Sequence, residues 1–347
     1  MQRIVAILSE ISRPDAPDAP WLPPGRGPLS SFLLDHLRQP VHRLPPAPVP
    51  TDDPVTGDDI QLFLYLCYEL HYRGLARVDD AWEWEPSLLA LRRSAEALFE
   101  EALLQRVGPP PATFDDVTGG LHALIGAASG PSLSGYFLEQ GTLQQFREFA
   151  IHRSGYQLKE ADPHSWAIPR LCGAPKAALM EIQNDEYGRG QTGRAHADLF
   201  AETMTALGLD PTYGAYVDRM PGTTLATTNL ISFFGLQRRW RGALVGHLAI
   251  FEMTSVEPMG RYSATLRRLG VPTAARRFYD IHVDADAHHQ VIAAENLAGG
   301  LARAQPTLAG DIIFGARAIM AVEELFTAHL LGSWASGATS LLSPLCS

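Results

Sequence analysis

Apolar positions recur with a helical period along most of the chain. From Asp58, the stretch DDIQLFLYLCYELHYRGL is apolar almost all round, the mark of a buried helix that Gly74 allows to end. PSLLALRRSAEALFEEALLQRV follows, with Pro86 near its start and a Leu/Ala face at helical spacing, and VGPPPATFDD then breaks the pattern. TLQQFREFAIHRSGYQLKE repeats apolar and small residues with a period near 3.6 and stops before Pro163 and Pro169. KAALMEIQNDEY and RAHADLFAETMTALGL both read as helix, with glycines at 188, 190 and 193 between them. TTLATTNLISFFGLQRRWRGALVGHLAIFEMTSVEP holds one or two long helices whose end is marked by Pro258 and Gly260. A short YSATLRRLG helix leads through Pro272 into AARRFYDIHVDADAHHQVIAAENLAGGL, and DIIFGARAIMAVEELFTAHLL is the last strong element. No convincing run of alternating β-branched residues occurs anywhere, so the pattern predicts an all-α fold.

The chain before Asp58 is different. About a dozen of its 26 prolines lie there, including Pro23–Pro24 and RLPPAPVP, and each fixes φ and removes a backbone donor. LSSFLLDHL allows one small helix between two irregular arms. We therefore divide the chain into a proline-rich N-terminal arm or cap at 1–57 and a helical domain at 58–347. The arm is expected to carry little regular helix, with a homodimer partner as one way of covering it.

Composition narrows the function classes only modestly. A formal charge of −10, with no basic block beyond the small cluster Arg238, Arg239 and Arg241, argues against a nucleic-acid partner. Cys67, Cys172 and Cys346 are too few and too scattered for a disulfide framework or a thiolate metal site, and suit a reducing compartment. MQRIVAILSE is too soon interrupted by charge to be a signal peptide, and no apolar run approaches the roughly 20 residues that span a bilayer. The expectation is a cytoplasmic protein without membrane association.

The sharpest local chemistry is His282–Asp286–His289. At i, i+4 and i+7 these residues share one stripe of a helix, and two imidazoles with a carboxylate suit iron or manganese. A solvated polar face is an equally good reading of this triplet alone, since Asp280, Asp284 and His288 lie on the same helix. Glu252 shifts the balance, because its helix is apolar almost all round and a carboxylate there needs a cation or a hydrogen-bonded partner. Glu186 and His196 bracket the glycine-rich link, and Glu160 ends its helix in front of ADPH. Read blandly, Glu160 and Glu186 are surface carboxylates and His196 a core histidine. Taken together, carboxylates and histidines from separate helices are how two-metal sites in helical bundles are built. Glu160, Glu186, Glu252 and Asp286 would supply four negative charges, which two Fe(II) ions would neutralise.

The stretches YQLKEADPHSWAIPRL, KAALMEIQNDEYG, LFAETMTALGLDPTYGAYVD, LISFFGLQRRWRGALVGHLAIFEMTS and FYDIHVDADAHHQVIA resemble the haem-oxygenase-like diiron oxidase superfamily, specifically the bacterial iron-containing redox enzymes. The resemblance covers roughly residues 140 to 300. It implies a haem-oxygenase-like bundle of about seven core helices, with metal ligands Glu160, Glu186, His196, Glu252, His282, Asp286 and His289. Glu69 and Glu181 are the substitutes to be weighed. His288 is turned about 100° away from His289 and should not share its metal. The resemblance further implies two Fe(II) ions, O2 as co-substrate and an external electron donor such as a ferredoxin or flavin reductase. The implied outcomes on a small organic substrate are N-oxygenation in specialised biosynthesis, desaturation or oxidative C–C cleavage. Asp198, Asp284, His247 and Arg241 are candidates for supporting the ligands, and Tyr156 and Tyr187 for lining the cavity.

No rival motif stands up: there is no Walker A pattern, no GxGxxG after a strand, no HExxH and no zinc-ribbon cysteine spacing. A metal-free helical binding or scaffold protein remains the reading from another class, and it requires that the seven candidates do not converge.

Overall fold

The computed structural model describes residues 19–345; the start of the proline-rich arm and Cys346 lie outside that range. Its helices are α1 (Pro28–Leu37), α2 (Asp58–Glu69), α3 (Pro86–Val107), α4 (Val117–Ala127), α5 (Leu133–Glu139), α6 (Leu143–Gln157) and the single turn α7 (Asp162–Ser165). They continue with α8 (Gly173–Glu186), α9 (His196–Ala206), α10 (Gly222–Leu236), α11 (Arg241–Arg268), α12 (Arg277–Val291), α13 (Gly299–Ala304) and α14 (Ala309–Ala335). No strand occurs among the described residues, and none of their helices is long and apolar enough to cross a membrane.

Helix α11 is the axis of the bundle, packing against α14, α12, α5 and α10. Its approach to α14 is close because both helices carry glycine where they cross. A Cβ on Gly246 would lie 1.9 Å from the Ile312 carbonyl oxygen, and one on Gly315 would lie 2.0 Å from that of Ala243. The core forms two apolar clusters that share these helices. On α11, Ala243, Leu244, Val245, Leu248, Ala249 and Ile250 belong to the first and Tyr262 and Leu266 to the second. Glu252 therefore sits at the junction between two dry regions, where a lone carboxylate is costly.

Two features depart from the helical pattern read along the chain. Helix α11 does not stop at Pro258 but runs through it to Arg268. A proline inside a helix costs about 3 kcal/mol by removing one backbone bond and crowding the preceding turn. Packing along both halves of α11 outweighs that cost. The carbonyl released is that of Thr254, and Thr254 and Pro258 both line the main cavity. In addition, α12 passes directly into a π-helical turn over Ile292–Ala298, which packs against α8. Such turns are rare and widen a helix locally, often beside functional groups.

The proline-rich stretch within the described residues contributes to the core. Leu29, Leu33, Leu34 and Leu37 of α1 are buried, and Val55 and Leu44 join them. The Asp59 carboxylate accepts from the backbone N–H groups of Leu29 and Ser30 at 2.9 and 2.7 Å, satisfying two donors that the first turn of α1 leaves free.

Candidate metal centre

Glu160 follows α6 in a turn rather than in the helix itself. The next residue, Ala161, is buried and holds φ at +73°, outside the range comfortable for a residue with a Cβ. Gln183 of α8 fixes this turn by donating to the Ala161 carbonyl at 3.0 Å. With its amide nitrogen turned inward, Gln157 donates to Glu160 Oε1 at 2.7 Å. Glu186 ends α8, and His196 is the first residue of α9. Between them Gly188 adopts φ +63°, and a Cβ there would lie 2.4–2.6 Å from the backbone of Arg194 and Ala195. Only glycine lets the chain fold back so tightly, which brings His196 beside Glu186.

The sequence-predicted residues converge in two overlapping groups. Ligand-type atoms of Glu160, Glu186, His196 and His282 all lie within 4.8 Å of one another, as do those of Glu186, Asp286 and His289. Glu186 belongs to both. Glu252 adjoins the second group, with its Oε2 3.5 Å from His289 Nδ1, the same distance as Asp286 Oδ1. Five inward-facing atoms are buried without a hydrogen-bond partner: Glu186 Oε2, His196 Nδ1, His282 Nε2, Asp286 Oδ1 and His289 Nδ1. Buried polar atoms are nearly always paired, so such a concentration signals a missing partner. Nitrogen and carboxylate oxygen are the donors preferred by iron or manganese, and the residues present fit such an ion.

Without metal, protons carry the compensating charge. Burial opposes charge on His282, but Glu160, Glu186 and Asp286 outweigh it and lift the imidazole to about 10. The same contest, with Asp286 and Glu252 on the favourable side, raises His289 to about 11. Burial, helped by Asp286 and Glu186, pushes Glu252 up to about 8. Burial also raises Glu160. Glu186 goes the other way, because His196, His282 and His289 together overcome the cost of its burial.

The alternatives lie elsewhere. Glu69 is wholly buried but already satisfied, accepting from Lys159 Nζ at 2.9 Å and from the Tyr213 hydroxyl at 2.7 and 2.8 Å. Glu181 faces His288 at the exposed surface, 3.1 Å away. Asp198 and Asp284 are exposed, and Arg241 binds Gln305. His247 shares a hydrogen bond with His164 at 3.1 Å. Tyr156 lines the cavity, whereas Tyr187 is partly exposed and donates to Asp162. Sequence reading missed Asp185, which accepts from His289 Nε2 at 3.2 Å, and the Phe278 carbonyl, which accepts from His282 Nδ1 at 2.7 Å. It also missed Gln157.

Beside the converging residues lies a cavity of about 710 Å³, whose walls include Phe149, Tyr156, Phe251 and Tyr262. Glu160, Glu186, Glu252, His282 and Asp286 all contribute to its lining. Its polar lining also includes the Arg153–Glu323 pair, joined by two bonds of 2.7 Å. The volume suits a small organic molecule, and most of the exposed wall is apolar.

The iron-containing redox enzyme family matches residues 147–324, a span that includes every converging residue. The chain belongs to this family. The fold described above is all-helical and haem-oxygenase-like. The chain is also similar to a nitrosourea synthase from Streptomyces achromogenes subsp. streptozoticus, 25% identical over 140 residues. That match takes in 40% of this chain and 30% of the relative, so the chain spans less than a third of the relative's length.

Proposed function

We propose that the chain is a non-haem diiron enzyme that uses O2 to oxidise a small organic substrate. The observation that carries this reading is the pair of carboxylate–histidine groups sharing Glu186, with five buried atoms that make no hydrogen bond. Glu160, His196 and His282 would hold one iron, Glu252, Asp286 and His289 the other, and Glu186 would serve both. Bound as a pair, the irons would supply the coordination site and reducing power for O2 activation.

The chain's own contribution is positional and electrostatic. Four carboxylates balance two divalent ions in a region where net charge is costly. The aromatic walls would hold the substrate beside the carboxylate–histidine groups. Of the outcomes compatible with this chemistry, N-oxygenation in a biosynthetic pathway is the one the likeness to a nitrosourea synthase favours. An insertion of one oxygen atom from O2 needs two electrons and two protons to release the other as water. An external donor, such as a ferredoxin or flavin reductase, would therefore be required. Desaturation and oxidative C–C cleavage would use the same centre.

Anaerobic Fe(II) loading with metal analysis, followed by O2 uptake measurements with and without reductant, tests the proposal. Two irons per chain and iron-dependent O2 consumption are expected. No iron retention and no reaction with O2 would overturn it.

A further inference from the structure

His282 and His289 stand on the same face of α12, seven residues apart, yet they turn opposite nitrogens inward. His282 presents Nε2 to the centre and His289 presents Nδ1; both atoms are buried and make no hydrogen bond. The outward nitrogens are anchored by different means. His282 Nδ1 donates to the Phe278 carbonyl one turn earlier in its own helix, at 2.7 Å. His289 Nε2 donates to a side chain from another helix, Asp185 Oδ2, at 3.2 Å.

Asp185 is itself held. Arg189 Nε donates to its Oδ1 at 2.7 Å and Arg189 Nη2 to its Oδ2 at 3.2 Å. Arg189 occupies a left-handed backbone position, φ +56°, between Gly188 and Gly190. The turn that returns the chain to His196 therefore also places the guanidinium that clamps Asp185. His289 is almost fully buried, whereas Asp185 is partly exposed and Arg189 mostly so.

We propose that Asp185, clamped by Arg189, is a positioning residue for the half of the centre formed by Glu186, Glu252, Asp286 and His289. This inference rests on the two-metal reading above. A metal on His289 Nδ1 leaves the ring proton on Nε2, where Asp185 accepts it. That bond sets the ring's rotation and increases its donor strength, as outer carboxylates do for metal-bound histidines. The other half of the centre has its equivalent support in a backbone carbonyl, which side-chain substitution leaves in place. Loss of Asp185 should consequently weaken one metal-binding step and spare the other, an asymmetry that general damage to the fold would not produce.

Mn(II), which is stable in air, is a suitable probe, followed by equilibrium dialysis and by the magnetic resonance signal of the free ion. The parent should bind two Mn(II) per chain. In Asp185→Ala the first step should be kept and the second weakened by about 10–100-fold. Asp185→Asn, which still offers an amide oxygen to His289 Nε2, should recover part of that loss. Arg189→Ala, altered at an exposed site, should weaken the same step less, and it provides the decision if Asp185→Ala does not fold. Parent-like binding in Asp185→Ala, or equal weakening of both steps with helicity retained, would overturn the inference alone. A parent that binds fewer than two Mn(II) would bring down the two-metal reading together with it.

Discussion

His196 Nδ1 lies 2.8 Å from Glu186 Oε2, yet the two atoms are not aligned to share a hydrogen bond. Glu186 and His196 both belong to the group whose ligand-type atoms lie within 4.8 Å of one another, and Gly188 makes the approach possible. Gly188→Ala would force a Cβ into the backbone of Arg194 and Ala195 from a left-handed position. We expect a loss of more than about 1 kcal/mol of stability. Iron content should fall further than that loss explains, because the displaced segment leads straight into His196. Thermal unfolding of the metal-free protein and metal analysis after Fe(II) loading separate the two effects.

Asp286 and Asp284 lie two residues apart on α12 but differ completely in setting: Asp286 is buried beside His289, whereas Asp284 is exposed. Asp286→Ala should keep near-normal helicity, since alanine is the better helix former, but retain about one iron instead of two. Asp284→Ala should match the parent in both respects. Equal iron content in the two variants would remove Asp286 from the ligand set.

The stripe formed by His282, Asp286 and His289 was legible because a helical period translates directly into a shared face. Glu252 was legible from the apolar residues that flank it. Asp185 was not, for the same geometric reason that excluded His288: helix neighbours diverge by about 100°, so a residue next to inward-facing Glu186 should look outward. Asp185 does look partly outward, but α12 comes close enough for His289 Nε2 to reach it from the side. The continuation of α11 through Pro258 was equally hidden, because the packing that overrides the proline comes from helices distant in sequence. The fate of Glu69 depended on Lys159, 90 residues away.

That buried pair gives a third prediction. Glu69 and Lys159 are at most 1% exposed, and the ammonium also lies 4.3 Å from the centre of the Tyr72 ring. Lys159→Met strands the carboxylate in the core and should cost about 3–5 kcal/mol. Adding Glu69→Gln should restore much of the loss, because the remaining groups are neutral and Tyr213 still has an acceptor. Denaturant unfolding of the two single variants and the double variant measures this coupling. Where it folds, Glu69→Gln should bind as much iron as the parent, in keeping with a carboxylate already committed to Lys159 and Tyr213.

The protonated state of the metal-free centre makes both stability and metal binding depend on pH. Glu252 holds its proton up to about 8, His282 to about 10 and His289 to about 11, all above their ordinary values. The folded chain thus binds more protons than the unfolded chain from about pH 4.5 upward, where an unfolded glutamate titrates. Over the window from there to about pH 11 these three groups make the metal-free protein less stable as pH rises. The histidine contribution is complete below about pH 6.5 and lost as pH passes the folded values. Metal ions must displace the same protons, so affinity should move in the opposite direction and increase with pH. Loading with Mn(II) at pH 7 in weak buffer should release up to one proton from each of Glu252, His282 and His289, measurable with an indicator dye. In Asp286→Ala, which removes a carboxylate supporting charged His289, release should be smaller along with metal uptake. Metal binding with no proton release at pH 7 would mean that the centre is already deprotonated and that its carboxylates do not hold the imidazoles in charged form.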